Sequence, residues 1–269
     1  KYRKDLAAIN QFFNVFGIGV LGVVFFNWIF VIVQEPHDTI GKFVETWQQT
    51  VSTEVLSEPG SGLNELPDIF YIILDGFGRA DILQEYYQIE TDDFTSALDE
   101  IGFYIAESSY ANYHWTLYSI ASSLNFIYLD ELIDLVGPES YSLTPQEVMI
   151  ENNRLMAQLK LHGYRNVIFA SEYAPIDITS GDVYLSPNTW VLNAFLNEVI
   201  NMTPFPALIR NLPLKSPYDF HREHVEFTLS NLSEPTSKEQ PTFVFAHIIA
   251  PHPPFVFGPK GEKRDPNSK

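Results

Sequence analysis

The sequence predicts an α/β fold in which a mostly parallel β-sheet is flanked by helices and preceded by a transmembrane helix. Continuous apolar runs at 69–74, 103–106, 166–170 and 242–249 have the length and composition of strands that are buried on both faces. Patterns of helical period lie between these runs. Alternation of strand and helix is typical of a parallel sheet with helices on either side.

The helices are expected at Asp92–Ile101, Leu117–Leu124 and Pro145–His162. Thr144 precedes the last of them as a candidate N-cap residue, and Gly163 follows it where a left-handed residue commonly ends a helix. In a parallel sheet, functional groups gather at the carboxyl ends of the strands. The residues that follow each strand are therefore the first candidates for a site.

The stretch Phe12–Val33 reads FFNVFGIGVLGVVFFNWIFVIV and contains no charged residue. Its length matches the ~20 residues with which a helix crosses ~30 Å of hydrocarbon, so it predicts a membrane-spanning helix. A buried core helix and a cleaved signal peptide are the alternatives. The run is long and uniform for a core helix, and no small-x-small cleavage pattern follows it.

The charges on either side of this helix predict its orientation. Lys1, Arg3 and Lys4 precede it, whereas Glu35 and Asp38 follow it. By the positive-inside rule, the N-terminus is cytoplasmic and the rest of the chain is extracytoplasmic. The sequence thus predicts a protein of the cell membrane whose partners include the lipid bilayer.

Four segments are expected along the chain: a cytoplasmic stub at 1–11, the membrane helix at 12–33, a juxtamembrane linker at 34–66, and an α/β domain at 67–269. The first part of the linker has a composition compatible with a helix. Its second part contains Pro-Gly-Ser-Gly and is typical of a flexible connection. No tract of low complexity interrupts the α/β domain.

The overall charge and the cysteine count exclude several classes of function. The formal net charge is -18, and such a surface repels phosphate backbones, so nucleic acid is not an expected partner. The chain has no cysteine, which rules out disulfides, thiolate metal sites and a cysteine nucleophile.

Asp75 ends the first predicted strand, in the segment IILDGFGRADIL. A carboxylate in this position can reach a bound cation, while Gly76 and Gly78 let the backbone turn tightly. The plain alternative is a strand-end aspartate that caps a turn, which is a common use of this residue.

Thr116 lies where the polar stretch 108–116 gives way to an amphipathic helix. A hydroxyl at a helix N-terminus faces backbone N–H groups and the positive end of the helix dipole, which suits a nucleophile that carries a phosphoryl or sulfuryl group. Such a hydroxyl needs a metal or a base to activate it. The alternative is an ordinary N-cap threonine.

Two pairs of histidines occur in the second half of the chain. His247 and His252, in FVFAHIIAPHPPF, are placed to bind an anionic ester or to donate a proton, or else are structural residues of a proline-rich turn. His221 and His224 are three residues apart and share a helical face. No carboxylate accompanies them in a metal-motif arrangement, so a structural role is expected.

From about Pro67 to Gly261, the chain resembles the N-terminal part of the sulfatase domain, within the alkaline phosphatase superfamily. Four blocks occur in the family's order: PDIFYIILDGFGRADIL, SSYANYHWTLYSIASSLN, NNRLMAQLKLHGYRNVIFAS and FVFAHIIAPHPPFVFGPKGE. The first looks like the opening strand with its metal-binding aspartate and the following Arg79, Asp81 and Leu83. The second is similar to the nucleophile loop and helix, and the fourth to a His-x-x-x-Pro-His-x-Pro-Phe segment.

The resemblance implies an alkaline phosphatase/sulfatase-like fold and a role for each matched residue. Asp75 would bind a divalent metal ion (Mn, Mg, Ca or Zn), and Thr116 would be both nucleophile and metal ligand. His252 would contact the substrate anion, with His247 as a weaker candidate. The implied mechanism is double displacement on a phosphate or sulfate ester through a covalent threonine ester.

Two departures separate the chain from true sulfatases. It has no Cys/Ser-x-Pro-x-Arg motif, and Asp75 is followed by Gly76 rather than by a second aspartate. Both favour a similarity to membrane-bound phosphoglycerol or phosphoethanolamine transferases, or to related phosphodiesterases. The membrane helix agrees with a lipid-linked substrate.

The resemblance also implies metal ligands that the sequence does not supply. The family takes them from a late Asp-His pair and often a later histidine, whereas nothing after Phe255 provides them. We therefore expect the domain to be incomplete at its C-terminus and inactive as given. The alternative is a non-catalytic, membrane-anchored extracellular domain with a degenerate sulfatase-like fold.

Overall fold

The computed structural model describes residues 2–34, 37–54, 66–130, 132, 136, 142–187, 215–236 and 239–264. Eight helices and four strands account for most of this part of the chain. In chain order they are α1 (Tyr2–Gln34), α2 (His37–Glu54), β1 (Ile69–Leu74), α3 (Ala80–Tyr87), α4 (Asp92–Glu100), α5 (Thr116–Asn125), α6 (Thr144–Glu151), α7 (Arg154–Leu161), β2 (Arg165–Phe169), β3 (Val183–Leu185), α8 (Pro217–Asn231) and β4 (Thr242–Ile248), with a 3₁₀ turn at Ala174–Ile176.

The strands form one sheet in the order β1-β4-β2-β3, and every pair in it is parallel. This confirms the predicted α/β class and the parallel sheet. β4 is buried along its whole length, as its uninterrupted apolar sequence predicts. Because β1 and β2 both pair with β4, the loops that follow these three strands leave the sheet at the same edge.

Helices cover both faces of the sheet. On one face, Phe169, Val244 and Ala246 form a buried cluster against which Phe227 of α8 packs. Side chains alternate between the faces of a strand, so Asn166 points the opposite way from Phe169. Its side-chain amide donates to the carbonyl of Met156 in α7, which therefore lies on the other face.

The predicted strand at Phe103–Ala106 is wrong. Gly102 has a φ of +97°, and the Phe103 N–H donates to the Leu98 carbonyl, so these residues end α4 instead of starting a strand. Tyr104 is 91% exposed, which no core strand would tolerate. The sequence also gave no sign of β3, because its three residues are too few to show a period.

The single helix predicted for Pro145–His162 is two helices. Asn153 takes an extended conformation and its side chain accepts from the Met156 N–H, so it caps α7 and separates it from α6. Thr144 is the first residue of α6 rather than its cap. Gly163 has a φ of +83°, in agreement with its predicted place at the helix end.

The N-terminal helix α1 contains an apolar window, Gln11–Ile29, with a mean hydropathy of 1.9. It is long and apolar enough to be a membrane span or a signal sequence. α2 follows in the first part of the predicted linker, and Phe43 and Trp47 stack on its buried face. The rest of that linker, residues 55–65, lies outside the described residues.

The chain divides into two compact units, residues 1–50 with 128–145 and residues 51–127 with 146–269. The sheet and every candidate site residue belong to the second unit. The division differs from the sequence-based segments in two ways: it falls before 66, and residues 128–145 group with the N-terminal helices.

Candidate active site

A cavity of about 350 Å³ opens at the carboxyl edge of the sheet. It is bounded by the loops that follow β1, β2 and β4 and by the start of α5. Its polar lining residues are Asp75, His114, Thr116, Glu172 and His252, and its other lining residues are Trp115, Leu117, Tyr173 and Ile249. Three of the four residues selected from the sequence thus share one cavity.

Asp75 is fixed at the end of β1 by backbone hydrogen bonds on both sides. Its N–H donates to the Ile248 carbonyl at 2.9 Å, and its own carbonyl accepts from the His252 N–H at 2.9 Å. The pKa of its carboxyl lies below the ordinary value, because the contact with His247 favours the anion more than burial opposes it. Asp75 is therefore an anion in the wall of the cavity at neutral pH.

Gly76 brings the loop after β4 close to Asp75. Its φ is +82°, a left-handed conformation that L side chains rarely adopt. A Cβ added there would lie 3.0 Å from the His252 Cα and 3.1 Å from the His252 nitrogen. The glycine thus serves both the tight turn and the close approach of the loop that carries His252.

Thr116 is the first residue of α5 and is half-buried. The N-cap residue, Trp115, makes no side-chain hydrogen bond to the first turn, so it does not cap the positive end of this helix. Trp115 is 53% exposed and stacks on Tyr118 with ring centroids 5.5 Å apart. Thr116 and the aromatic side chain of Trp115 are therefore neighbours in the cavity wall.

The loop before Thr116 is braced from the β1 side. The Arg79 guanidinium donates to the Ser109 carbonyl at 2.9 Å and lies over the Tyr110 ring at 4.8 Å. Asp81 holds the same guanidinium with two hydrogen bonds, of 2.6 Å and 2.8 Å. The Arg-x-Asp segment of the first sequence block thus supports the loop that presents Thr116.

His252 lies on the exposed wall of the cavity. Its Nδ1 is 2.7 Å from the Pro253 carbonyl oxygen, which can only accept, so Nδ1 carries a hydrogen. Nε2 remains for a ligand, as an acceptor in the neutral ring and as a donor in the cation. This arrangement suits a contact with an anionic group when the ring is protonated.

His247 is placed differently from His252. The residue is 1% exposed and is not among the lining residues of the cavity. Its Nε2 lies 3.4 Å from Asp75 Oδ2, and its Nδ1 lies 3.1 Å from Ser171 Oγ. A direct contact with substrate, as the resemblance implied for His247, does not fit this buried position behind Asp75.

Glu172 is a lining residue that the sequence analysis missed. It follows β2, and its Oε2 lies 2.7 Å from Nδ1 of His221 in α8. His224, one turn further along, has its Nε2 2.7 Å from the Ala170 carbonyl. The two histidines therefore fix the loop after β2, as the structural role predicted for them requires. The sequence signal that could have identified Glu172 is its position two residues after the predicted strand at 166–170.

The resemblance implies a divalent cation held by Asp75 and Thr116. These residues share the cavity, but within the described ranges no three His, Asp or Glu side chains are grouped so that they could hold a metal ion. One carboxylate and one hydroxyl fall short of the ~4 or more ligands that such a cation takes. The described residues therefore do not fit a complete metal site.

No protein-family model, curated protein or solved structure matches the chain.

Proposed function

We propose that this chain belongs to a membrane-anchored enzyme of the sulfatase type that hydrolyses or transfers phosphate or sulfate esters through a covalent ester on Thr116. The observation that carries the proposal is the shared cavity. Asp75, Thr116 and His252 come from three separate elements, yet all three line it. A carboxylate that can hold a cation, a hydroxyl at a helix start and an imidazole are three of the groups that displacement at an anionic centre uses.

The uncapped N-terminus of α5 supports an anionic substrate. Backbone N–H groups in the first turn of a helix lack intrahelical acceptors and carry the positive end of the dipole. Because Trp115 offers no capping side chain, these groups are not satisfied by the N-cap residue. A phosphate or sulfate group beside Thr116 would meet them, together with His252 across the cavity.

The displacement needs the following changes in bonding. Thr116 Oγ1 forms a bond to phosphorus or sulfur as the bond to the leaving oxygen breaks, and the hydroxyl proton passes to water. The leaving alkoxide takes a proton from water or from Nε2 of protonated His252. Water or an acceptor alcohol then attacks the same centre, the threonine ester breaks, and Thr116 is protonated again.

The proposal includes a divalent cation, which requires further ligands from outside the described residues. In that case, chelation of the full-length gene product would abolish turnover, and adding back a divalent metal would restore it. Turnover that persists after thorough chelation would remove the cation from the proposal.

Thr116→Ala in the full-length gene product tests the nucleophile. Turnover of bis-p-nitrophenyl phosphate, p-nitrophenyl sulfate and anionic phospholipid separates phosphodiesterase, sulfatase and transferase. We expect a loss of at least ~10³-fold on the preferred substrate. Mass spectrometry of the quenched wild type should detect one phosphoryl or sulfuryl group on Thr116. Undiminished activity of Thr116→Ala would end the proposal.

A matched control is available for this variant. Thr144 is also the first residue of a helix, is exposed, and does not line the cavity. Thr144→Ala should retain wild-type turnover, whereas Thr116→Ser should retain a part of it because it keeps a hydroxyl. Equal losses in Thr144→Ala and Thr116→Ala would indicate an effect on helix starts rather than on chemistry.

The second candidate is a non-catalytic membrane-anchored domain. It is favoured by the incomplete set of metal ligands among the described residues. This candidate predicts no turnover of any of the three substrates and no Asp-His-bearing strand encoded beyond Lys269. Reading the coding sequence past Lys269 and assaying its product therefore separate the two candidates.

The proposed location is the cell membrane, with α1 spanning the bilayer and the α/β unit extracytoplasmic. The length and hydropathy of α1 support a span, and Lys1, Arg3 and Lys4, which precede its apolar window, support this orientation. Since the chain has no cysteine, single cysteines at Lys4 and Ser180 can be labelled in intact cells with an impermeant maleimide. Only Ser180→Cys should react, and labelling of Lys4→Cys alone would reverse the orientation.

A further inference from the structure

We propose that His247 and Ser171 are positioning residues that hold Asp75 in the cavity wall, as part of a polar chain that runs across all four strands of the sheet. The chain runs through Tyr184 of β3, Asp177, Ser171 after β2, His247 of β4 and Asp75 after β1. Its order is the spatial order of the strands. The proposal deepens the proposed function, on which the catalytic value of Asp75 rests.

The part of the chain nearest β3 fixes the loop that carries Ser171. The Tyr184 hydroxyl donates to Asp177 Oδ2 at 2.7 Å, and Asp177 Oδ1 accepts from the Ser171 N–H at 2.9 Å. Burial and the bond to Asp177 raise the pKa of Tyr184, so its hydroxyl remains a donor. Asp177 therefore ties an edge strand of the sheet to the backbone of Ser171.

The hydroxyl of Ser171 is placed to donate to Nδ1 of His247, which leaves the hydrogen of a neutral ring on Nε2. Ser171 Oγ accepts from the Tyr173 N–H at 3.1 Å, which leaves its own hydrogen free to donate. The ring nitrogen Nδ1 of His247 lies 3.1 Å away, and we assign it as the acceptor of that hydrogen. A neutral ring whose Nδ1 accepts has its hydrogen on Nε2.

The other end of the imidazole leads to the same tautomer. Nε2 is buried, makes no well-formed hydrogen bond within the described residues, and lies 3.4 Å from Asp75 Oδ2. An ionised carboxylate only accepts, so a bare Nε2 would face it acceptor to acceptor. With the hydrogen on Nε2, the ring instead offers the half-buried carboxylate a donor.

The contact with His247 would orient the side chain of Asp75. The backbone of Asp75 is held by β4, but its side chain retains rotational freedom that backbone bonds do not remove. A buried donor at Oδ2 restricts that freedom and favours the anion. Mutation of a hydrogen-bond partner behind a functional carboxylate or imidazole typically lowers activity or ligand affinity ~10- to 100-fold.

The tautomer can be measured without any assay of activity. ¹⁵N spectra of the full-length protein with labelled histidine report on all seven rings, and the signal lost in His247→Gln identifies the ring of interest. We expect an unprotonated Nδ1 and a protonated Nε2 for His247. Removal of the donor in Ser171→Ala should shift Nδ1, whereas His162, an exposed residue at the end of α7, serves as the unchanged internal control.

A wild-type His247 with its hydrogen on Nδ1, or no response of its ring nitrogens to Ser171→Ala, would overturn the proposal. If His247→Gln does not fold, the ring whose Nδ1 responds to Ser171→Ala supplies the assignment, so the test does not depend on one variant. His247→Gln, whose amide can still donate to Asp75, should retain more activity than His247→Phe.

Kinetics separate this proposal from the proposed function. Ser171→Ala should lower kcat roughly tenfold with little change in KM, whereas the control Ser180→Ala leaves both unchanged. Equal kinetics of Ser171→Ala and Ser180→Ala would count against the positioning role. If Thr116→Ala stays active while His247 has the expected tautomer, the proposed function fails and the polar chain stands.

Discussion

The two carboxylates in the cavity are each backed by a buried histidine, but they are held in opposite ways. Asp75 is fixed through its backbone between two strands, and its contact with His247 is long at 3.4 Å. Glu172 lies on a loop, and its contact with His221 is short at 2.7 Å. Where the sheet already fixes the carboxylate, the imidazole only orients it. Where the backbone is a loop, the side-chain contact must supply the position.

The two sides of the cavity differ in what holds them in place. The strand side has a fixed backbone, because β1 and β4 pair in register from Ile69 to Leu74. The loop side depends on α8, which carries His221 and packs on the sheet through Phe227. Removing the charge of a carboxylate should thus lower activity more at Asp75, on the strand side, than at Glu172, on the loop side. Loosening α8 should instead affect the loop side.

The largest expected effect is on catalysis by Asp75. Asp75→Asn keeps the shape of the side chain but removes the charge with which Asp75 would hold the proposed cation, so kcat should fall roughly 10²- to 10³-fold. Glu172→Gln should cost about tenfold, since this residue supports the cavity from a loop. Steady-state kinetics of the full-length gene product measure both. A larger loss in Glu172→Gln would place the chemistry on the loop side instead.

Phe227→Ala comes next and acts on the loop side. Its ring packs edge to face on Phe169 with centroids 6.2 Å apart and is partly buried, so we expect a loss of about 2 kcal/mol, below the ~3–5 kcal/mol of a fully buried phenylalanine. Denaturant unfolding measures the stability. Phe103→Ala is the control, because Phe103 is exposed and should change little.

Hydrogen exchange in Phe227→Ala tests the comparison itself. Amides of α8 near His221 should exchange faster, while the Asp75 amide, bonded to the Ile248 carbonyl, should stay protected. Equal acceleration at both sites would mean that the two sides of the cavity open as one cooperative unit.

Asp219→Asn has the smallest expected effect and depends on pH. Asp219 accepts from Ser216 in a capping box at the start of α8. Lys263, then Ser216, and then Arg222 hold the pKa of its carboxyl well below the ordinary 3.8. A depressed folded-state pKa stabilises the protein above about pH 4 and loses that contribution as the pH falls. We expect a loss of ~1 kcal/mol at neutral pH.

Thermal unfolding at several pH values checks this prediction. The difference between wild type and Asp219→Asn should shrink as the pH drops below 3.8, the ordinary value for aspartate. Asp92→Asn, an exposed first-turn aspartate of α4, is the matched control and should have a smaller effect. A difference that grows on acidification would have the wrong sign for a depressed pKa.

The elements that the sequence predicted well are those with a strong local signal. β4 and β1 are uninterrupted apolar runs, and α4 and α5 have clear helical periods; all four lie where they were expected, within about two residues at their ends. The errors fell on short or interrupted elements. Asn153 divides one predicted helix into two by capping the second. The apolar residues that follow Gly102 were taken for a strand, although Phe103 closes the end of α4.

The candidate site shows the same limit. Asp75, Thr116 and His252 were selected from their positions at the ends of elements and from the four matching blocks, and they share the cavity. Glu172 was missed because its partner, His221, lies 49 residues away along the chain. His247 was the weaker substrate candidate through the resemblance of its segment, but it lies within β4, where every residue is buried.

The sequence by itself determined the α/β class, the apolar N-terminal helix and the residues available for chemistry. These follow from composition and from periodicity along the chain, which are local properties. Tertiary structure alone decided which polar groups face the cavity and which stand behind it, as with His252 and His247. Burial and hydrogen-bond partners depend on strand order, here β1-β4-β2-β3, and no local pattern encodes the neighbours that folding brings together.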